Sequence, residues 1–446
     1  MLNPDEILAN LDARTAALVA DCTACGACVR ACPTPAVTGN DVTDPKAVAA
    51  GIIALLSGRP APENARRWAT ECCGSGQCLD VCDAGINPRF MLTMARRAIT
   101  ESEAQPVRRA AGKQAFKSMS RGVRVLARLQ LPPELMERLS PSSHPDREAP
   151  PDLVFYTGCN MLKTPHIGLL CLDVLDQLGA SYEVFGGPSD CCGILQLRPG
   201  DTANATRQAG RTLQRVAARK PAALVSWCPT CQMQFSETML AGAAADDAVA
   251  MKMLPVYLAG RLDQLRPLMT QPVRKRVALH EYPGSPGVID SVKALPGAIP
   301  GLELVDLGVT SLGYQLTSLS AMPQRQNRHI AESLQRAEAA GVTTLAGIFH
   351  ADHRELVAHE NQWPFEIINY MELLGQSMGL ARTDIFKRLK LMQDVDAVIA
   401  DTTDMIEAHG LDLEEVRDVV LKDMLEDQYL PLDRSLHPRT DGSVAS

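Results

Sequence analysis

The 14 cysteines of this 446-residue chain carry its chemistry, and their spacing divides them into two patterns. The first is Cys22-x2-Cys25-x2-Cys28-x3-Cys32-Pro33. At that spacing a short loop wraps a cubane iron–sulfur cluster; Gly26 permits the tight backbone and Pro33 ends the motif. A zinc knuckle competes, but zinc ligand pairs are ordinarily set about 12 or more residues apart. The second pattern is Cys159, 31 residues, Cys191-Cys192, 35 residues, then Cys228-x2-Cys231. Those five thiols meet only if a folded domain gathers them. Two adjacent cysteines cannot comfortably serve one iron, but they can serve neighbouring irons while the Cys-x2-Cys turn closes the other side. Gly193 is expected to remove a side chain near the site. A zinc site on four of the five, an ordinary cubane and a reversible Cys191–Cys192 disulfide are competing arrangements.

A further loop repeats the first pattern imperfectly. Cys72-x2-Ser75-x2-Cys78-x3-Cys82 has serine at the second position, and Cys73 is an extra thiol. In two-cluster loops the fourth cysteine of each motif ligates the other cluster. The first cluster then takes Cys22, Cys25, Cys28 and Cys82. The second takes Cys32 and Cys78 with Cys72 or Cys73, and Ser75 as a further candidate. A harder serine ligand or a three-iron cluster would make it atypical, whereas Cys73 in the vacant place would restore an ordinary one. Cys171, inside the apolar stretch 167–178, is expected in the core.

A net charge of −8 and an aromatic share of 4% disfavour a nucleic-acid surface. No apolar run approaches the ~20 residues of a membrane span. The opening Met-Leu-Asn-Pro-Asp lacks a basic and apolar leader pattern, so the thiols are expected in a reducing cytoplasm, where clustered cysteine means metal or redox chemistry.

The elements that must position these residues follow from the pattern along the chain. Residues 1–100 are expected as helices around two cysteine loops, 101–150 as a linker after a basic helix, and 382–446 as a helical tail that frays. Between them an internal repeat is visible. His280 follows Cys159 by 121 residues, and His350 and His353 follow Cys228 and Cys231 by 122 each. Two tandem α/β modules, 151–270 and 271–381, are expected, each strand–helix–strand–helix–strand, with the special residues in loops after strands.

The pattern Tyr156-Thr157-Gly158-Cys159, Asp190-Cys191-Cys192-Gly193 and Trp227-Cys228-Pro229-Thr230-Cys231 resembles the CCG domain of the heterodisulfide reductases. The front unit resembles the ferredoxin-like component of the same enzymes. With both joined in one chain, the protein is similar to the fused form of heterodisulfide reductase and to the iron–sulfur subunits of glycolate, lactate and glycerol-3-phosphate dehydrogenases. The resemblance implies an α+β and α/β fold: a helical two-cluster ferredoxin-like domain, then two pseudo-symmetric CCG modules. It further implies two [4Fe-4S] clusters and one noncubane four-iron cluster on Cys159, Cys191, Cys192, Cys228 and Cys231. Its partners would be other redox subunits, a flavoprotein among them, and a small sulfur substrate or protein persulfide. A relay role in a flavin-dependent dehydrogenase is the alternative.

The second module departs from that family, with His280, Ser311, Leu312, His350 and His353 where cysteines would stand. No iron–sulfur cluster is expected there, which removes a two-cluster clamp on a disulfide. His280, His350 and His353 could hold zinc or non-haem iron with Asp352 or Glu281 nearby, exchange protons beside Cys192, or be remnants retained for packing.

Overall fold

The computed structural model describes residues 4–239, 251–309 and 312–439. Its first hundred residues build helices whose ends present the cysteine loops. The helix Pro4–Asp21 buries Ile7, Leu11 and Leu18 and stops directly before Cys22. Asp44 caps Pro45–Leu56 by accepting the Lys46 and Ala47 N–H groups, and Asn87 caps Pro88–Glu101 by accepting that of Phe90. Glu63–Thr70 ends directly before the Cys72 loop.

Two four-stranded parallel sheets follow, with the same strand order. Strands β1 (Leu153–Tyr156), β2 (Tyr182–Phe185), β3 (Ala223–Ser226) and β4 (Met251–Met253) are ordered β2-β1-β3-β4. Strands β5 (Arg276–His280), β6 (Glu303–Val305), β7 (Thr344–Gly347) and β8 (Glu366–Asn369) are ordered β6-β5-β7-β8. Registers correspond as well: Leu153 pairs with Tyr182 and Ala223 as Val277 pairs with Leu304 and Thr344. Each copy thus has a fourth strand that the sequence pattern omits. β4 has only three residues and β8 follows a 3-10 stretch, so neither shows much alternation.

The first sheet divides the interior by its period of two. Leu153, Phe155 and Val225 face the large core shared with the second sheet, whereas Val154, Tyr156 and Leu224 face the helical front unit. The basic helix expected within residues 101–150 is present and the stretch 141–150 is irregular and mostly exposed, but the helix is packed into the core. The 24-residue helix Gln105–Arg128 buries Met119, Val123, Val125, Leu126 and Ala127, and its arginines pair with the tail, Arg121 with Asp418 and Arg124 with Glu415. Basic composition concealed one apolar stripe. The tail is packed too: Val416, Val420, Met424 and Leu430 are fully buried. Among the described residues no helix is long and apolar enough to cross a membrane.

In the second module His280, Tyr282 and His329 pack ring on ring, with His280 and His329 centroids 4.6 Å apart. Burial, and then Arg325, push His329 down to about 3; burial and His329 push His280 well down. In the unfolded chain each would protonate near 6.5. As pH falls below that value the unfolded state gains protons the folded state refuses, so stability drops toward pH 3 by up to about 1.4 kcal/mol per unit for His329, and His280 acts in the same direction. Melting temperature should therefore fall between pH 7 and pH 5, and His329→Gln should flatten that slope. An equal slope in the variant would contradict this reading.

Candidate functional site

Because β1, β2 and β3 run parallel, their carboxyl ends open on one side, and each end leads into a cysteine loop. Cys159 follows β1 by three residues, Cys191-Cys192 follow β2, and Cys228 follows β3 by two. All five thiols are buried, at 1–7% exposure. They form a chain of contacts in the order Cys159, Cys191, Cys192, Cys231, Cys228. Hydrogen bonds from Cys159 and Cys192 hold the Cys191 thiol well below its ordinary range, and those two neighbours are pushed up in return. Cys159 also donates to the Gly187 carbonyl at 3.2 Å.

The surrounding groups fix the loops rather than the sulfurs. Tyr156 donates its hydroxyl proton to the Asp190 carbonyl, and Asp190 pairs with Arg215. Thr212 donates to the Cys191 carbonyl at 3.3 Å and Ser226 to that of Cys228 at 3.2 Å. Gly193 does not face the thiols as expected. A Cβ there would meet the Ala205 carbonyl oxygen at 2.4 Å, so it lets the helix Thr202–Ala218 approach. The glycine facing the thiols is Gly158, at φ +73°, where a Cβ would lie 3.0 Å from Cys228 Cβ and 3.3 Å from Cys231 Sγ. Its place directly before Cys159 was the available signal.

In the front unit, Cys22, Cys25, Cys28 and Cys82 line one cavity of about 270 Å³ together with Gly26, and Cys28 interacts with the other three. Burial, and then the neighbouring thiolates, push Cys28 up to about 11. Cys78 is pushed to about 12 by burial and then by Cys72, Cys32 and Cys28. Cys73 is 1% exposed and pushed to about 11 by burial and then by Cys72. It faces Cys32 as well and lies 3.6 Å from the Thr34 hydroxyl. Ser75 approaches this group through its backbone N–H, which donates to Cys73, and the Gly74 N–H donates to Cys72 Sγ at 3.4 Å. Cys32, Cys72, Cys73 and Cys78 are thus brought together, beside the first four. Cys171 is fully buried in the helix Pro165–Gln177.

The donor sets fit iron–sulfur clusters better than single ions. A zinc ion holds its sulfurs about 3.8 Å apart. Among the described residues only one group of three or more metal-type donors lies within 4.8 Å of one another, and no cysteine belongs to it. The thiols are near enough to repel as thiolates but spread wider than one ion requires. Burial makes the charged forms of Cys28, Cys73, Cys78, Cys159, Cys192 and Cys231 costly, and a cationic core would hold them deprotonated.

His280, His350 and His353 are not brought into one group. His280 packs on His329; His350 is 4% exposed and neighbours Arg354 and Lys163; the His353 Nε2 lies 2.7 Å from Asp384. Ser311 lies outside the described residues, and Leu312 is buried in the core. Glu281 pairs with Lys293, and the Asp352 carboxylate accepts the Phe349 and Leu316 N–H groups.

The front unit packs on the first module through the helices Pro4–Asp21 and Thr202–Ala218, and a second contact reaches the second module as well. Arg89, 4% exposed, pairs with Glu237 and donates to the carbonyls of Gly74 at 3.2 Å and Gly284 at 2.7 Å. It thereby ties the second cysteine loop to the π-helical turn Gln234–Met239 and to the second module. Tyr314 fills the space over Gly74, and its hydroxyl accepts from Thr230, one of the two residues between Cys228 and Cys231, at 3.5 Å.

Against this geometry, residues 153–236 match the CCG family, described as a cysteine-rich domain, and residues 18–86 match a family described as a 4Fe-4S dicluster domain. The chain carries both iron–sulfur domains. No curated protein and no solved structure was found to match it. The dicluster match spans both front loops from before Cys22 to beyond Cys82, and the cysteine-rich match spans all five thiols of the first module. A 4Fe-4S dicluster domain and a cysteine-rich domain in one chain suggest an iron–sulfur electron-transfer role, and Arg89 and Tyr314 lie where the two meet.

Gly158→Ala should place a Cβ among the five thiols and cost about 1–2 kcal/mol in backbone strain. The expected result is loss of iron from the cysteine-rich domain with the dicluster EPR signals unchanged. Full iron content in that variant would contradict the assigned role of Gly158.

Proposed function

We propose that the chain is a heterodisulfide-reductase-like redox subunit that takes electrons from a partner flavoprotein and delivers them to a small disulfide or persulfide substrate beside the cysteine-rich domain, releasing thiols. When bound, iron–sulfur clusters supply one-electron transfer at the three thiol groups. In this reading Cys22, Cys25, Cys28 and Cys82 hold the first, and Cys32, Cys72, Cys73 and Cys78 the second. Cys159, Cys191, Cys192, Cys228 and Cys231 hold a noncubane third. Cys73 takes the place that Ser75 leaves vacant, supported by its company with Cys32 and Cys72.

The observation that carries the reading is a cavity of about 390 Å³ at the junction of all three units. Its wall includes Cys72 from the dicluster domain, Ile194 and Thr230 from the two cysteine turns, Tyr314 from the second module, and Arg96 and Arg198. The guanidinium groups suit a substrate bearing carboxylates. Cleaving its disulfide consumes two electrons and two protons and yields two thiols. His280, His350 and His353 do not line this cavity, so the Thr230 and Tyr314 hydroxyls are the better candidates to pass protons. The burial of the five sulfurs, none of which lines the cavity wall, favours a second reading, a relay subunit of a flavin-dependent 2-hydroxy acid or glycerol-phosphate dehydrogenase.

With a reduced dye as donor and carboxylate-bearing disulfides as acceptors, Cys192→Ala should abolish turnover while leaving the dicluster signals intact. Persistence of full activity would count against the proposal. Arg89→Ala removes the guanidinium from Glu237, which keeps its hydrogen bond from Asn87, and strips the donor from the Gly74 and Gly284 carbonyls; it should destabilise the chain by about 1–3 kcal/mol. It should also slow reduction of the third group by at least tenfold in stopped-flow absorbance, with iron content unchanged. Equal rates would mean that the junction does not carry the electrons.

A further inference from the structure

Two buried histidines and two partly buried carboxylates from three parts of the chain converge away from the thiols. His166 lies in the first turn of the helix Pro165–Gln177, packed in the first module. His353 lies in the helix His350–Leu356 and Glu372 in the helix Tyr370–Ser377, both in the second module. Asp384 caps the helix Ile385–Met392 at the start of the tail. One donor atom from each lies within 4.8 Å of all the others. Asp384 approaches His353 Nε2 at 2.7 Å and His166 Nδ1 at 3.4 Å, and Glu372 approaches His166 Nε2 at 3.6 Å. The side chains of His166, His353 and Asp384 are 3%, 0% and 6% exposed.

Hydrogen bonding accounts for one contact of this arrangement, His353 Nε2 with Asp384. Neither ring nitrogen of His166 has a well-directed hydrogen-bond partner, nor has His353 Nδ1. His166 faces its two carboxylates at ion-pair distances and not in hydrogen-bonding geometry, so its buried nitrogens are left without directed bonds. The carboxylates are already oriented: Glu372 accepts the Asn369 N–H at 2.8 Å and Asp384 accepts that of Lys387 at 2.9 Å. Such outer hydrogen bonds fix a ligand's direction, as they do around protein metal sites. The nearest ammonium, Lys387, is engaged with Glu360 at 2.9 Å, which leaves two carboxylates facing two imidazoles. Their charge is what a divalent cation balances.

We infer that His166, His353, Glu372 and Asp384 form a site for one divalent transition-metal ion of imidazole–carboxylate preference, zinc, manganous or ferrous, that joins the two α/β modules and the tail. Bond lengths of about 2.0–2.2 Å from nitrogen and oxygen place donors about 3–4 Å apart, close to the observed cluster. Two residues of the second module and one of the tail meet one residue of the first, so the ion would hold the second module over the cysteine-rich domain. The site is independent of the proposed function. Of the three histidines that replace cysteines in the second repeat, it uses only His353.

The test uses the full chain, purified without oxygen and with its iron–sulfur clusters in place. It is equilibrated in turn with zinc, manganous and ferrous salts, desalted, and assayed for each metal and for acid-labile sulfide. The expected result is one divalent ion per chain beyond the iron matched by sulfide. His166→Gln and Asp384→Asn should each lower that content at least fivefold with sulfide unchanged, whereas His280→Gln and His350→Gln should retain it. X-ray absorption at the edge of the retained metal should show nitrogen and oxygen neighbours without sulfur. No excess ion with any of the three salts, full content in His166→Gln, or sulfur around the metal would each overturn the inference. The wild-type count and absorption measurement decide the matter even if a variant fails to fold.

Discussion

Burial of thiols at the ends of parallel strands is the constraint from which the rest of this structure follows. A parallel sheet sends all its carboxyl ends to one side, so three loops far apart in sequence share one place. Five sulfurs there are almost closed to water, and the front unit contributes eight more in two adjoining groups. Burial raises the cost of the Cys159, Cys192 and Cys231 thiolates, while hydrogen bonds from neighbouring thiols relieve it at Cys191 and Cys228. Positive charge within the group would relieve the rest, and the loops are tethered from outside. Thr212, Ser226 and the Tyr156 hydroxyl bond the loop carbonyls and leave the sulfurs facing inward.

The second module repeats the first sheet without its cysteines. Its sheet has the strand order and register of the first. Where the first copy gathers thiols, the second packs His280 against His329 and sends Tyr314 and Gln315 onto Thr230. Its loops thereby close over the Cys228–Cys231 turn and receive Arg89 at Gly284. The module without thiols serves as wall and clasp for the module that carries them.

Much of this was legible in the sequence where chemistry repeats at fixed spacing. The grouping of Cys82 with Cys22, Cys25 and Cys28 and the meeting of five distant thiols follow from spacing. So does the recurrence of strands near residues 153 and 276. What was not legible depends on contacts that leave no periodic trace. His166 sits in an apolar helix and reads as a core histidine; only the fold reveals that Asp384 and His353 reach it. The helix Gln105–Arg128 hid one buried stripe under seven basic residues and read as an exposed prelude to a linker. Gly193 and Gly158 are both glycines at cysteine turns, and only the direction of the missing Cβ tells which one faces sulfur.

The most direct measurement is Mössbauer spectroscopy of protein grown on iron-57 and kept from oxygen, combined with an iron and sulfide count. Three occupied thiol groups require about twelve irons per chain and a third set of iron signals distinct from two cubanes. About eight irons, all in two ordinary cubane environments, would contradict an iron–sulfur centre on the five thiols of the cysteine-rich domain.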